Sequence, residues 1–109
     1  MNKKLKITDL VSNDLAVMRS QGLEVYEIIY AHLLEGNTEI SFEGVRRITS
    51  LFANASIGKI YLNCSPELCE KMTLTGIEAD STISLIIDKA IDAAQNAEEH
   101  DRIVMEAYS

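Results

Sequence analysis

"ISFEGVRRITSLFANASIGKIY", residues 40–61, is the stretch whose reading decides the fold. Ile40 and Phe42 share one face of an alternating pattern and Gly44 closes it, which predicts a strand over "TEISFEG", residues 38–44. Val45 and Ile48 lead from that strand to a hydroxyl pair, Thr49 and Ser50. The chain then turns apolar at Leu51 and Phe52, which predicts a short helix from Leu51 to about Lys59 with Phe52 and Ala55 on its apolar side. "KIYLNC", residues 59–64, fits either the end of that helix or the start of a strand. Thr49 or Ser50 is placed to cap the helix by accepting a backbone N–H bond. Asn54 reads as a buriable amide that caps or satisfies a loop carbonyl.

Toward the N-terminus, "KKLKITDLV", residues 3–11, has the alternation of a half-buried strand. Ser12, Asn13 and Asp14 are all suitable helix N-caps. From there Leu15, Met18, Gly22, Val25, Ile29 and Leu33 recur at three- and four-residue steps, predicting an amphipathic helix with a break near Gly22 and an end at Gly36-Asn37. Toward the C-terminus, Ser65-Pro66-Glu67 predicts a short helix ending near Lys71 or Met72. "MTLTGI", residues 72–77, is a weak strand. Asp80 and Ser81 then cap a long final helix, with Ile83, Ile86, Ile87, Ala90, Ile91 and Ala94 as an apolar stripe. Ala97, Val104, Met105 and Tyr108 extend the stripe, and an interruption is expected around Glu98 to Asp101. Strands alternating with helices in this order predict an α/β layer with few strands and helices covering the sheet.

The 109 residues suffice for one compact domain, 1–109, and 47% of them are apolar, enough for a core without staples. A formal charge of −7 argues against binding nucleic acid or an anionic membrane, either of which needs a basic stripe. The cationic clusters are confined to Lys3, Lys4, Lys6 and the pair Arg46 and Arg47. No secretory signal and no uninterrupted apolar run of about 18 residues is visible, so the expected setting is the cytoplasm, with Cys64 and Cys69 reduced.

Catalytic patterns are sparse. Cys64 and Cys69 have a C-x4-C spacing, but His32 and His100 lie far off in sequence, short of the four ligands of a structural zinc site. Neither histidine has a nucleophile elbow beside it, and phosphate-cradling glycine loops are missing. The expectation is therefore no enzyme, no metal and no cofactor. What remains is the hydroxyl pair: a plain helix cap, or a hydroxyl presented to a partner where a helix N-terminus favours an added phosphate. Arg46 and Arg47 beside it are either solvated loop residues or a local basic spot for an acidic partner.

The block quoted above resembles the STAS-like family of small bacterial domains of unknown function. The resemblance rests on Phe42-Glu43-Gly44-Val45, on Thr49-Ser50, on Phe52-Ala53-Asn54 and on Ile57-Gly58-Lys59-Ile60-Tyr61. It implies a fold like that of anti-anti-sigma proteins, a small β-sheet with helices packed on one side. In that broader group a serine at the start of the helix after a central strand is phosphorylated by an ATP-binding anti-sigma kinase, and the phosphate blocks binding to it. Ser50 falls at that place, with Thr49 next to it. The chain departs from the group's Asp-Ser-Ser/Thr-Gly pattern, having Thr49, Ser50, Leu51 and Phe52 there, and it has Ser41 where many relatives carry Asp.

Together these readings predict a non-enzymatic regulatory interaction module. Its partner would be a protein, of the histidine-kinase ATPase type by the resemblance, and its candidate binding or phosphorylation residues are Ser50, Thr49, Asn54, Arg46 and Arg47. The competing expectation is a structural or self-associating subunit, a homodimer through the long C-terminal helix, with Thr49 and Ser50 serving only as a cap.

Overall fold

A computed structural model describes the backbone of residues 3–108 and the side chains of residues 3–96. The chain begins with strand β1 (Lys3–Lys6), one helical turn α1 (Ile7–Val11), a two-residue strand β2 (Leu15–Ala16) and helix α2 (Arg19–Glu35). Strands β3 (Thr38–Ser41) and β4 (Arg47–Ile48) follow. Helix α3 (Ser50–Ala53), a π-helical turn (Asn54–Gly58) and helix α4 (Lys59–Asn63) then join end to end into one rod. Short helix α5 (Pro66–Cys69), strand β5 (Met72–Thr75) and helix α6 (Thr82–Tyr108) complete the fold.

The main sheet is parallel, in the order β1-β3-β5. Its register aligns Leu5, Ile40 and Leu74 in one row and Lys3, Thr38 and Met72 in another. Because side chains alternate along a strand, these rows share a face with Thr38, Leu5, Ile40 and Met72 buried on it. The row Lys4, Glu39 and Thr73 points to the other side, where Lys4 pairs with Glu39 at 3.8 Å and Thr75 donates to Glu39 at 2.8 Å. The architecture is therefore α/β, with a small sheet covered by helices on its apolar face, as expected from the sequence.

The stretch quoted first supplies much of the core. Phe42, Phe52, Ala53, Ile57 and Ile60 are almost completely buried, together with Val25, Ile29 and Leu33 of α2 and Ile87 and Ala90 of α6. The rod is flanked by α2 and α6. Small residues permit the close approach: a Cβ on Gly22 would lie 2.7 Å from the Phe52 carbonyl oxygen and 2.8 Å from the Ala55 Cβ. Gly58 is similarly close to α6, where an added Cβ would sit 3.3 Å from the Ala90 carbonyl oxygen. Inside the π-turn the Ser56 hydroxyl donates to the Phe52 carbonyl at 2.8 Å, which satisfies a fully buried hydroxyl.

Several sequence expectations are corrected. The strand in "KKLKITDLV" stops at Lys6, and Ile7–Val11 is helical. Ser12, Asn13 and Asp14 cap no following helix: Ser12 closes α1 in a left-handed conformation, and Asn13 accepts the Leu15 N–H at 3.2 Å. Leu15 and Ala16 belong to a strand because they pair in parallel with Arg47 and Ile48. Helix α2 starts at Arg19, where the Gln21 side-chain oxygen accepts the Met18 N–H at 3.0 Å. It runs unbroken past Gly22, whose role is close packing. "KIYLN" finishes the rod, so the ambiguity there resolves to helix.

The strand expected over 38–44 ends at Ser41, and α5 ends at Cys69 rather than near Lys71 or Met72, whereas three expected helix boundaries are observed. Helix α2 ends at Gly36, Ser65 caps α5 by accepting the Leu68 N–H at 3.2 Å, and Ser81 caps α6 by accepting the Ser84 N–H at 3.1 Å. Helix α6 is continuous, without the interruption expected at Glu98 to Asp101. Ile87, Ala90 and Ala94 of its stripe are buried within the chain itself. The continuation of the stripe at Ala97, Val104, Met105 and Tyr108 and the position of His100 lie outside the residues whose side chains are described. No helix among the described residues is long and apolar enough to cross a membrane.

Candidate functional site

Thr49 and Ser50 have different surroundings, although they are neighbours. Thr49 is the N-cap of α3, and its hydroxyl accepts the Phe52 N–H at 3.3 Å. The same hydroxyl donates to the Val17 carbonyl at 2.6 Å, and the Thr49 N–H donates to the Ala16 carbonyl at 3.2 Å. Those bonds pin the start of the rod to the segment that leads into α2. The Thr49 hydroxyl is thus fully engaged and half-buried. Ser50 occupies the first helical position and is exposed.

Arg46 and Arg47 lie on the same approach and both are exposed. Arg46 is paired with Asp14 at 3.2 Å, and its N–H donates to the Asp14 carbonyl at 2.8 Å. Its charge is therefore partly neutralised, and the basic spot expected here rests on Arg47. Asn54 is exposed rather than buried; it occupies the C-cap position of α3, where its backbone N–H donates to the Leu51 and Ser50 carbonyls, and it opens the π-turn.

A groove of about 500 Å³ begins beside Ser50 and runs between α2 and the rod. Arg19 and Leu23 form one wall, and Leu51, Asn54, Ala55, Lys59, Leu62 and Asn63 form the floor and the other wall. Leu51 is 61% exposed and Leu62 47%, unusual openness for leucines on a rod whose other side is closed. The Lys59 ammonium lies 4.6 Å from the centre of the Tyr26 ring, a cation–π contact, and Tyr26 stacks on Tyr30. Sequence reasoning missed this wall. The signal was present: Leu23 stands one position after Gly22 of the core row Gly22, Val25, Ile29 and Leu33, at the head of a second apolar row that Tyr26, Tyr30 and Leu34 continue beyond the groove.

Cys64 and Cys69 sit at the α4–α5 junction, in a separate cavity of about 630 Å³ that also touches Tyr61, Met72 and Gln95. Both are half-buried, and no disulfide joins them. The Cys69 thiol points toward the Ile60 carbonyl, 3.7 Å away, and the Cys64 carbonyl, 3.8 Å away. Burial pushes the Cys64 thiol up, which keeps it protonated and poorly nucleophilic at neutral pH. Burial, and to a lesser degree the proximity of Cys69, also raises Tyr61. Among the described residues no three His, Cys, Asp or Glu side chains gather as a metal site.

The elements that build the groove and the Ser50 approach, from Gln21 through the start of α6, coincide with a known sequence family. Residues 21–82 match the family model of the STAS-like domain of unknown function (DUF4325). The chain belongs to that family. No curated protein and no solved structure matches it. The matched part includes α2 from Gln21 onward, β3, the whole rod and β5, so it contains the Thr49-Ser50 turn and the groove-lining residues other than Arg19.

Proposed function

We propose that this STAS-like domain is a non-enzymatic regulatory module that binds a protein partner on the surface around Ser50. The observation that carries the reading is the contrast at the head of the rod. Thr49 is spent on holding the rod in place, whereas Ser50 is exposed at the first helical position beside an exposed leucine, Leu51. A leucine open to solvent next to a helix N-terminus offers an apolar anchor, and Arg47 and Asn54 border it with a cation and an amide. Phosphate on Ser50 would be favoured by the N-terminal end of the rod and would place two negative charges beside that anchor. Ser50, not Thr49, is the modifiable residue in this reading, because only its hydroxyl is accessible. The partner class is a histidine-kinase-type ATPase, as the likeness to anti-anti-sigma proteins implies.

The test is affinity capture from the native host with wild type, Ser50→Ala and Ser50→Asp, each checked for folding by circular dichroism. An ATPase that is retained by wild type and Ser50→Ala and lost from Ser50→Asp supports the reading. Retention of the same proteins by all three variants, or no ATPase on any, defeats it.

A further inference from the structure

The α2–rod groove differs in charge from the chain as a whole. Arg19 and Lys59 line it with Leu23, Leu51 and Leu62, and no carboxylate does, in a chain of formal charge −7. Among the described residues neither cation has a carboxylate partner. The Lys59 ammonium rests on the Tyr26 ring, whereas Lys4 and Arg46 elsewhere are paired with Glu39 and Asp14.

The lining also has a length and a direction. Leu51, Ala55, Lys59 and Leu62 follow one another along the rod at steps of three and four residues, and all of them line the groove. From Leu51 to Leu62 is about 16 Å at the helical rise, or about three turns. On the facing wall, Gly22 packs against Phe52 and Ala55, and Tyr26 lies against Lys59, so α2 and the rod run side by side in the same direction. Lys59 thus stands level with Tyr26, about 10 Å along α2 from Arg19, which is about two turns. A trough of this length, apolar on its floor and cationic at two points, fits an amphipathic helix with acidic edges. The apolar stripe of such a helix would meet Leu23, Leu51 and Leu62, and carboxylates about two turns apart would meet Arg19 and Lys59.

We propose that the α2–rod groove receives a helix of the protein partner, with apolar residues at three- and four-residue steps and carboxylates along its edges. The inference rests on the reading that the surface around Ser50 binds a protein, and it adds where the partner lies and what it carries. Leu51 and Asn54 belong to both surfaces; Arg19, Lys59 and Leu62 belong to the groove alone.

The test uses the purified, isotope-labelled full chain observed by amide NMR, with two synthetic peptides of about four helical turns. One carries leucines at alternating three- and four-residue steps with glutamates on both sides of that stripe. The other has lysine in place of every glutamate. The glutamate peptide should bind reversibly, with a Kd no weaker than about 1 mM, and should shift the amides of residues 19–23 and 51–63. The lysine peptide should bind there at least about tenfold more weakly. That comparison needs no variant. Arg19→Glu with Lys59→Glu should reverse the order of the two peptides, which a misfolded chain would not do. No binding, equal binding of the two peptides, shifts confined to other faces, or an order unchanged in a folded variant would each overturn the proposal. Self-association abolished by the charge reversal, without peptide binding, would assign the groove to a second copy instead and overturn it equally. Capture from the native host separates this claim from the reading it rests on. An ATPase lost from Ser50→Asp but kept by the folded charge-reversal variant spares that reading and overturns the groove as the docking place.

Discussion

The rod formed by residues 50–63 has two sides, and they differ in what covers them. On the inner side Phe52, Ala53, Ile57 and Ile60 are each 0% exposed, sealed by α2, α6 and the sheet. On the outer side Leu51 and Leu62 stand largely in solvent with Asn54 and Asn63 between and beside them. The inner side is what the fold requires. The outer side adds apolar surface that contributes little to folding, and exposed leucines that line a groove are the kind of surface a partner covers. The same division appears at single-residue scale in the turn before the rod, where Thr49 is held by its neighbours and Ser50 is not.

Substitutions sort along this division. Phe52→Ala should have the largest effect, lowering the unfolding free energy by about 3–5 kcal/mol in urea denaturation, because it empties a fully enclosed site. Gly22→Ala should cost about 1–3 kcal/mol, since its new Cβ meets the Phe52 carbonyl and Ala55 with little room to shift. Thr49→Val should cost about 1–2 kcal/mol by removing both the cap and the bond to the Val17 carbonyl. Leu51→Ala should change stability by no more than about 0.5 kcal/mol in the same measurement. If Leu51→Ala proved as damaging as Phe52→Ala, the distinction between the two sides would collapse.

The smallest effect concerns pH. Cys64 is raised above an ordinary value of 9.0 and Tyr61 above 10.0, in both cases chiefly by burial. The folded chain therefore favours the protonated forms. Their contribution to stability is complete below the ordinary values and is lost as pH rises through the raised ones. Thermal unfolding should show stability declining above about pH 9, and Cys64→Ala should make that decline shallower.

Much of the fold was legible because its signals are local. The Gly36-Asn37 stop, the Ser65-Pro66 start and the Ser81 cap each depend on a few adjacent residues. The strand around Ile40 announces itself by alternation. What escaped depends on distant partners. Leu15-Ala16 and Arg47-Ile48 are too short to show a period, and they are strands only because they meet each other. Leu15 also falls in step with the apolar row of α2, so the period extended the helix too far toward the N-terminus. The π-turn at Asn54–Gly58 accompanies the tight packing of Gly22 and Ala90 against the rod, and no single residue in it signals that geometry. At the candidate site the hydroxyl pair was legible as a cap. The separate surroundings of Thr49 and Ser50 were not, since they depend on Val17, thirty-two residues away.

The central proposal is that the outer side of the rod binds a partner, whereas the inner side holds the fold. Its most direct test is capture from the native host with wild type, Leu51→Glu and Thr73→Glu. The last places the same charge on an exposed position of the open sheet face. The account predicts that one ATPase is retained by wild type and Thr73→Glu and lost from a folded Leu51→Glu. Equal retention by all three would contradict it.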